Sequence, residues 1–552
     1  MSARELITDH LDLWTGVVTK KSSSGRGSNG KVELTGIKKL RELILELAVR
    51  GSLVDQIPGG ESAQELLERC LKAKAASVEQ GKLKKARKHA CITSEDIPFS
   101  LPHGWSWSRL DDLLRVINGR AYKKHEMLSS GTPLLRVGNL FTSNDWYYSD
   151  LELEEDKYID SGDLIYAWSA SFGPFIWDGG RAIYHYHIWK LDLFDESAIS
   201  KQFLFLYLKA ITEEIKSSGS GIAMIHMTKG KMEELVFPIP PLEEQHRIVQ
   251  KVDELMALCD RLEQQTSDQF EAHETLVDTL LGTLTQSENA TELADNWARL
   301  AAHFDALFTT EQSIEKLKQT ILQLAVMGRL AHQDPSEEAA SILLEKISNE
   351  MCQLTANKRT KKTSTLPPIS DEELPFEKPL GWEAARLHSL IAISSGDGLT
   401  AAQMSNDGGI PVFGGNGVNG FHNKANVREP TLVIGRVGYY CGSIHITPEE
   451  AWVTDNAFIT RYAREHISQR YLYWLLKATN LKEQDNATAQ PVISGRKIYP
   501  IVVIIAPRLE QDRIAEKIDE LMAICDQLKE RLNQASETRC QLAEAVVEGA
   551  LT

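Results

Sequence analysis

The sequence predicts an α+β chain: two globular heads separated by long antiparallel helices, internally duplicated with pseudo-twofold symmetry. Three observations predict it. Residues 243–262, EEQHRIVQKVDELMALCDRL, recur as LEQDRIAEKIDELMAICDQL at 509–528, at a constant shift of 266. Residues 40–53, LRELILELAVRGSL, recur as LKQTILQLAVMGRL at 317–330, at a shift of 277. Between the shared segments lie two inserts that do not resemble each other. A period this long describes two copies of a domain-sized unit, not a solenoid.

The elements follow in order. The segments around Leu40 and Leu317 place apolar residues every three or four positions and end at Gly51 and Gly328, which suit helix C-caps. At the same shift Ala63, Leu66, Leu67 and Glu68 match Ala340, Leu343, Leu344 and Glu345. The approaches EDIPFSLPHGW and EELPFEKPLGW keep Pro98, Phe99, Pro102, Gly104 and Trp105 in step, and Arg109 and Leu110 match Arg386 and Leu387. Each insert holds short apolar or aromatic runs (DLIYAW, TLVIG, YPIVVII) punctuated by Gly, Asn, Pro and Asp, which read as strands. A helical piece follows in each, KQFLFLYLKAITEEI and SQRYLYWLLKATN. Each insert is therefore an α+β head.

The repeated long helices carry a heptad seam. Ile248, Val252, Leu255, Cys259 and Leu262 are spaced 4, 3, 4, 3, and Ile514, Ile518, Leu521, Cys525 and Leu528 repeat that spacing. Pro241 and Pro507 precede the helices, and Glu243, Glu244 and Glu510 fall in the first turn, where a carboxylate suits the dipole. A helix over 243–284 would be roughly 60 Å long. Two of them, antiparallel, would make a rod with a head at each end, a plausible ruler for DNA half-sites about 34–36 Å apart or more. The expected domains are a helical region with a basic linker (1–104), a first head (105–240), a central helical region and linker (241–381), a second head (382–506) and a C-terminal helix (507–552).

Hydrophobic content of 42% and charged content of 25% indicate a soluble globular chain. The N-terminus lacks a signal-peptide pattern, and no run approaches a bilayer span. The seven cysteines are scattered, without a CxxC pair, and read as reduced thiols of a cytoplasmic protein. Cys259 and Cys525 fit a buried core role. No P-loop, HExxH, GxSxG, EF-hand loop or NPP[YF] tetrapeptide occurs. GNGVNG at 415–420 fits GxGxxG, but FHNKANVREP after it is no helix to receive a pyrophosphate, so it reads as a loop. No catalytic, metal or cofactor residue is singled out.

The net charge of −16 argues against nucleic acid taken alone, but local charge decides. Basic linkers precede both inserts: Lys82, Lys84 and Lys85 stand in repeat register with Arg359, Lys361 and Lys362. The first insert clusters Arg120, Lys123 and Lys124, offers Arg136 and Asn139 in LLRVGNL, and Lys229 and Lys231 in HMTKGK. The second offers Asn416 in GGNGVNG, Arg436 in IGRVG, and Ser494, Arg496 and Lys497 in ISGRK. Arg and Asn read guanine and adenine bidentately in the major groove, so these are the candidate DNA contacts. Solvated loops remain the bland reading of each one singly.

With PLEEQHRIVQKVDELM, its partial echo PRLEQDRIAEKIDELM and the twin LPHGW and KPLGW approaches, the chain resembles the specificity (S) subunit of type I restriction–modification systems over nearly its whole length. TPLLRVGNL, SGDLIYAWSASFG, IPVFGGNGVNG and LVIGRVG look like pieces of that family's target recognition domains, and LAVRGSLV with LAVMGRLA suggests a longer-subunit subfamily. The resemblance implies that each target recognition domain reads half of a bipartite double-stranded DNA site. The shared helices would set the spacer and dock two methyltransferase (M) subunits, with restriction (R) motor–nuclease subunits joining them. It implies no catalysis in this chain: S-adenosylmethionine, ATP and magnesium would belong to the partners. The second copy reads Pro507-Arg508-Leu509-Glu510 where the first has Pro240-Pro241-Leu242-Glu243-Glu244, a departure at one docking end. Two other classes stay open: a coiled-coil scaffold with two protein-binding heads, and a DNA-acting enzyme with an unrecognised site.

Overall fold

The computed structural model describes residues 7–20, 32–57, 59, 61–81, 83, 91–169, 171–217, 227–356, 367–405, 409–438, 440–481 and 492–551. The chain forms two compact units, Met1–Gln269 with Ala535–Thr552, and Phe270–Gln534. The first carries α1 (Leu11–Gly16), α2 (Thr35–Val49), α3 (Ala63–Glu79), α4 (Lys201–Ser217) and the first part of α5 (Leu242–Gln286). The second carries the rest of α5, then α6 (Ala290–Ala302), α7 (Glu311–Val326), α8 (Ala340–Ala356), α9 (Gln469–Ala478) and most of α10 (Arg508–Leu551), whose last residues belong to the first unit.

The helices end where the sequence says. Gly51 adopts φ +74° after α2, so Ser52 N–H reaches Leu47 O at 2.9 Å and Gly51 N–H reaches Ala48 O at 3.3 Å, a Schellman cap. Gly328, at φ +68°, does the same after α7, with Arg329 N–H on Leu324 O at 2.9 Å. Ser62 and Glu65 form a capping box on α3. Ile248, Val252, Leu255 and Cys259 are buried in one apolar cluster with Leu40, Leu43, Ile44 and Leu47 of α2. Ile514, Ile518 and Cys525 are buried with Leu317, Ile321 and Leu324 of α7. Burial pushes the thiols of Cys259 and Cys525 up to about 11, so both are core side chains, not nucleophiles.

The heads diverge in sequence yet share one topology. The first has β1 (Ser106–Arg109), β2 (Leu114–Asn118), β3 (Thr132–Leu135), β4 (Tyr147–Ser149), β5 (Tyr158–Ile159), β6 (Leu164–Ser169), β7 (Ser171–Ile176), β8 (Ala182–Tyr184), β9 (Ile188–Leu193) and β10 (Val236–Ile239). One sheet runs β2-β9-β6-β7, all antiparallel, and a second runs β4-β3-β8-β5, with β3 parallel to β8. The second head has β11 (Glu383–Arg386), β12 (Ile391–Ser395), β13 (Ile410–Gly414), β14 (Gly417–His422), β15 (Leu432–Gly435), β16 (Ile444–Ile446), β17 (Trp452–Val453), β18 (Ala457–Tyr462) and β19 (Val502–Ile505). Its sheets run β12-β18-β15-β16 and β14-β13-β17, with β13 parallel to β17.

Each head is closed at its base by its first and last strands, β1 against β10 and β11 against β19. Equivalent arginines lock the closure. Arg109 reaches Glu234 O at 2.8 Å and Asp96 at 3.1 Å, and Arg386 reaches Pro500 O at 2.9 Å and Glu373 at 2.9 Å. The Glu-Gln pair opening each long helix ties the head down. Gln245 accepts from Ser200 N–H at 2.8 Å and donates to Pro240 O at 3.0 Å. Gln511 accepts from Ser468 N–H at 3.0 Å and donates to Ala506 O at 2.9 Å.

Candidate nucleic-acid interface

In each head the two sheets meet at one corner, where the parallel pair ends. In the first, His185 N–H bonds Leu135 O at 2.9 Å, Arg120 N–H bonds Tyr184 O at 3.1 Å and Gly119 N–H bonds Ile188 O at 3.2 Å. Gly119 permits this approach, because a Cβ there would fall 2.4 Å from His185 O. The corner bears Arg120, and Arg136 leads from β3 into the short helix Val137–Phe141 that carries Asn139. Arg120 forks onto Glu126 at 2.7 and 3.1 Å, which holds that carboxylate down to about 2. Arg136 is exposed, with its guanidinium 5.0 Å over the Tyr147 ring. Asn139 is spent locally: its Oδ1 accepts from Arg136 N–H at 3.1 Å and its Nδ2 donates to Asp145 O at 2.9 Å. Lys123 and Lys124 are exposed on the neighbouring turn.

Sequence reasoning missed the corner's aromatic character. The rings of Tyr186 and His187 lie 4.0 Å apart, His185 and Tyr186 4.4 Å, and Trp168 and His187 5.1 Å. Tyr186 is 39% exposed. Burial, aided by His187 and Arg136, pushes His185 down to about 4, so it presents a neutral ring at physiological pH. The signal was the YHYH run at 184–187, alternating about a strand end.

The second head builds the same frame with other side chains. Thr454 N–H bonds Phe413 O at 2.8 Å, Asp397 N–H bonds Val453 O at 3.0 Å and Gly396 N–H bonds Ala457 O at 3.2 Å. Arg436 N–H bonds Asn456 O at 2.9 Å, as Trp168 N–H bonds His187 O at 3.1 Å. Thus Asp397 stands where the first head has Arg120, and Arg436 where it has Trp168. The Arg436 guanidinium is held by Ser395 Oγ at 2.8 Å and lies 5.5 Å over the Phe458 ring. Asn416 is exposed in the β13–β14 turn, and the rest of GNGVNG, from Gly417, runs into strand β14, so the segment expected as a glycine-rich loop is a tight turn and a strand rather than a dinucleotide loop. Ile493 N–H bonds Arg436 O at 2.9 Å, which brings Ser494 beside Arg436.

The remaining candidates sit on a matched pair of short helices. Lys229 and Lys231 lie on Lys229–Glu234, capped by Thr228, with Lys229 paired to Glu233 at 3.4 Å. Arg496 and Lys497 lie on Gly495–Ile498, which Ser494 precedes. Lys82, Lys84, Lys85, Arg359, Lys361 and Lys362 lie outside the described residues. No helix among the described residues is long and apolar enough to cross a membrane.

The family profile described as "Type I restriction modification DNA specificity domain" matches residues 102–272 and 379–537. Over 596 residues the chain is 36% identical to the type I restriction enzyme EcoAI specificity subunit of Escherichia coli, covering 100% of both chains. It is 35% identical over 601 residues to the EcoEI specificity subunit of the same organism, again covering 100% of both. The EcoBI specificity subunit is 20% identical over 79% of this chain and 83% of its own.

Proposed function

From a chain that belongs to the family of type I restriction–modification DNA specificity subunits, we propose that each corner described above reads one half of a bipartite duplex site. The chain is the non-catalytic specificity component of such a system, with two repeated recognition domains. One observation carries the assignment of the corners. Five backbone hydrogen bonds coincide, those donated by Gly119, Arg120, Trp168, His185 and Ile188 and by Gly396, Asp397, Arg436, Thr454 and Ala457, while the side chains differ in kind: Arg120 against Asp397, Trp168 against Arg436, His187 against Asn456. A fixed frame with exchanged edge groups is what two readers of different bases need.

Within this reading, Arg136 and Tyr186 face one half-site, and Asn416, Arg436 and Ser494 the other. Lys123, Lys124, Lys229, Lys231, Arg496 and Lys497 serve the phosphates around them. The recognition domains occupy 105–240 and 382–506. The helices that carry the chain between its units set the spacing of the half-sites and dock two methyltransferase subunits, which restriction subunits join in the cytoplasm. S-adenosylmethionine, ATP and magnesium act in those partners. The acidic balance of −16 leaves most phosphate contact to the methyltransferases.

The test is selection from a random duplex library with this chain co-purified with its methyltransferase. A bipartite consensus with a fixed gap supports both corners as readers. A single short half-site would remove one of them, and no enrichment would favour a protein-binding scaffold.

A further inference from the structure

In the first unit, an ionic network crosses the seam between α3 and the segment leading into α4. Arg69 donates to Asp195 at 3.2 Å and to Glu61 at 2.7 Å, and also to Ser197. The second unit keeps the local half of this network, with Lys346 on Glu338 at 2.7 Å. It lacks the acid across the seam. Backbone bonds fix the alignment: Asp195 O accepts from Ala198 and Ile199, and Ala463 O accepts from His466 and Ile467. Ala463 therefore replaces Asp195. In the same comparison Ala73, Ser197 and Ala198 become Glu350, Glu465 and His466.

These three replacements converge. One ligand atom from each of Glu350, Glu465 and His466 lies within 4.8 Å of the others. Glu350 Oε2 is 3.7 Å from His466 Nε2, and it is buried without a hydrogen-bond partner. A buried carboxylate oxygen with no donor is costly, and an ion bound between the two carboxylates and the imidazole would satisfy it. We propose that Glu350, Glu465 and His466 bind one zinc ion, which clamps α8 to the segment leading into α9. Imidazole with carboxylates is a zinc donor set, and three protein ligands leave a fourth position for water. Donors on a tetrahedral zinc with bonds of about 2.0–2.2 Å stand roughly 3.3–3.6 Å apart, so a small rotation of the exposed Glu465 closes the site.

The experiment is calorimetric titration of the full chain, in complex with its methyltransferase, with zinc chloride after chelation. The expected result is one saturable equivalent that raises the melting temperature of the chain and is reversed by EDTA. His466→Ala should abolish this equivalent. Glu465→Gln alters only an exposed side chain and keeps the fold testable; it should weaken zinc at least tenfold. Cobalt substitution should give a visible absorption band that the same variants lose. Absence of a saturable equivalent, or equal binding by Glu465→Gln and wild type, would overturn the proposal. So would a seam stabilised only by protonation of His466, seen as stability that rises at low pH and ignores zinc.

Discussion

The indole Nε1 of Trp105 donates to Glu244 Oε1 at 3.0 Å, in a buried site that joins the approach to the first head with the start of the long helix α5. The second copy repeats the bond, Trp382 to Glu510 at 3.0 Å. Two segments far apart in sequence are therefore held as one corner in each unit, and Gln56 adds a second donor to Glu244 at 2.6 Å. Trp105→Phe keeps most of the apolar contact and deletes the donor. It should destabilise the first unit by about 1–3 kcal/mol, the cost of leaving a buried acceptor short of a partner. Hydrogen exchange is the right measurement, since two units need not unfold together. Protection should fall in the first unit and hold in the second. Equal loss in both would show that the bond does not act locally.

The second copy of this corner carries a pH dependence. Burial is the main cause that pushes Glu510 up to about 7 from an ordinary value of 4.5, against the bond from Trp382 and the charge of Arg513. A carboxyl raised in the folded state contributes stability that is complete below its unfolded value and is lost as pH rises through the folded one. Stability should therefore decline between about pH 4.5 and 7 through this group. Glu510→Gln mimics the neutral form. The variant's stability relative to wild type should improve by roughly 1–3 kcal/mol from pH 5 to pH 8. Parallel urea curves for the two proteins across that range would refute the assignment.

The glycines that end α2 and α7 serve the same corner. A Cβ at Gly51 would meet Trp105 Cζ2 at 2.8 Å and Pro102 Cγ at 2.5 Å, and one at Gly328 would meet Pro379 Cγ at 2.8 Å. Both residues also have positive φ. Gly51→Ala or Gly328→Ala should cost about 1–2 kcal/mol from the backbone and about 1–3 kcal/mol from crowding. Thermal melting should show the loss, and a melting temperature within a degree of wild type would mean the chain relaxes around the new methyl.

Much of this framework was legible in the sequence, because a packed helix seam and a tethered Trp–Glu corner demand particular residues. Ile248, Cys259, Trp105 and Gly51 repeat as Ile514, Cys525, Trp382 and Gly328. The common topology of the heads was not legible. Its register is written in backbone hydrogen bonds, such as His185 to Leu135 and Thr454 to Phe413, which constrain side chains weakly. The first corner's aromatic and histidine groups were missed because a search for phosphate and base contacts weighs Arg, Lys and Asn. Asn139 shows the converse: its residue type suggested adenine, but local bonds occupy its amide.

The matched corners make opposite predictions for two side chains at one backbone position. Arg436 is held ready by Ser395 and Phe458. Arg436→Ala should relax discrimination at one base pair of a half-site, by about 1–3 kcal/mol, and leave the other half-site unchanged. Trp168→Ala should weaken the opposite half-site. Selection with each variant complex separates these outcomes. A uniform loss across all positions would reassign Arg436 to phosphate.

The chain passes between its units inside α5 and again inside α10, at 269–270 and 534–535. A helix rises about 1.5 Å per residue, so four residues add about 6 Å. Four residues also turn it by a little more than one full turn, and both insertions lie outside the buried faces around Ile248 in one unit and Ile514 in the other. Base pairs stack about 3.4 Å apart. Inserting four residues at both crossings should therefore widen the selected gap by one or two base pairs and leave both half-site sequences intact. A gap unchanged by the insertion would mean that the methyltransferase partners, not these helices, set the distance.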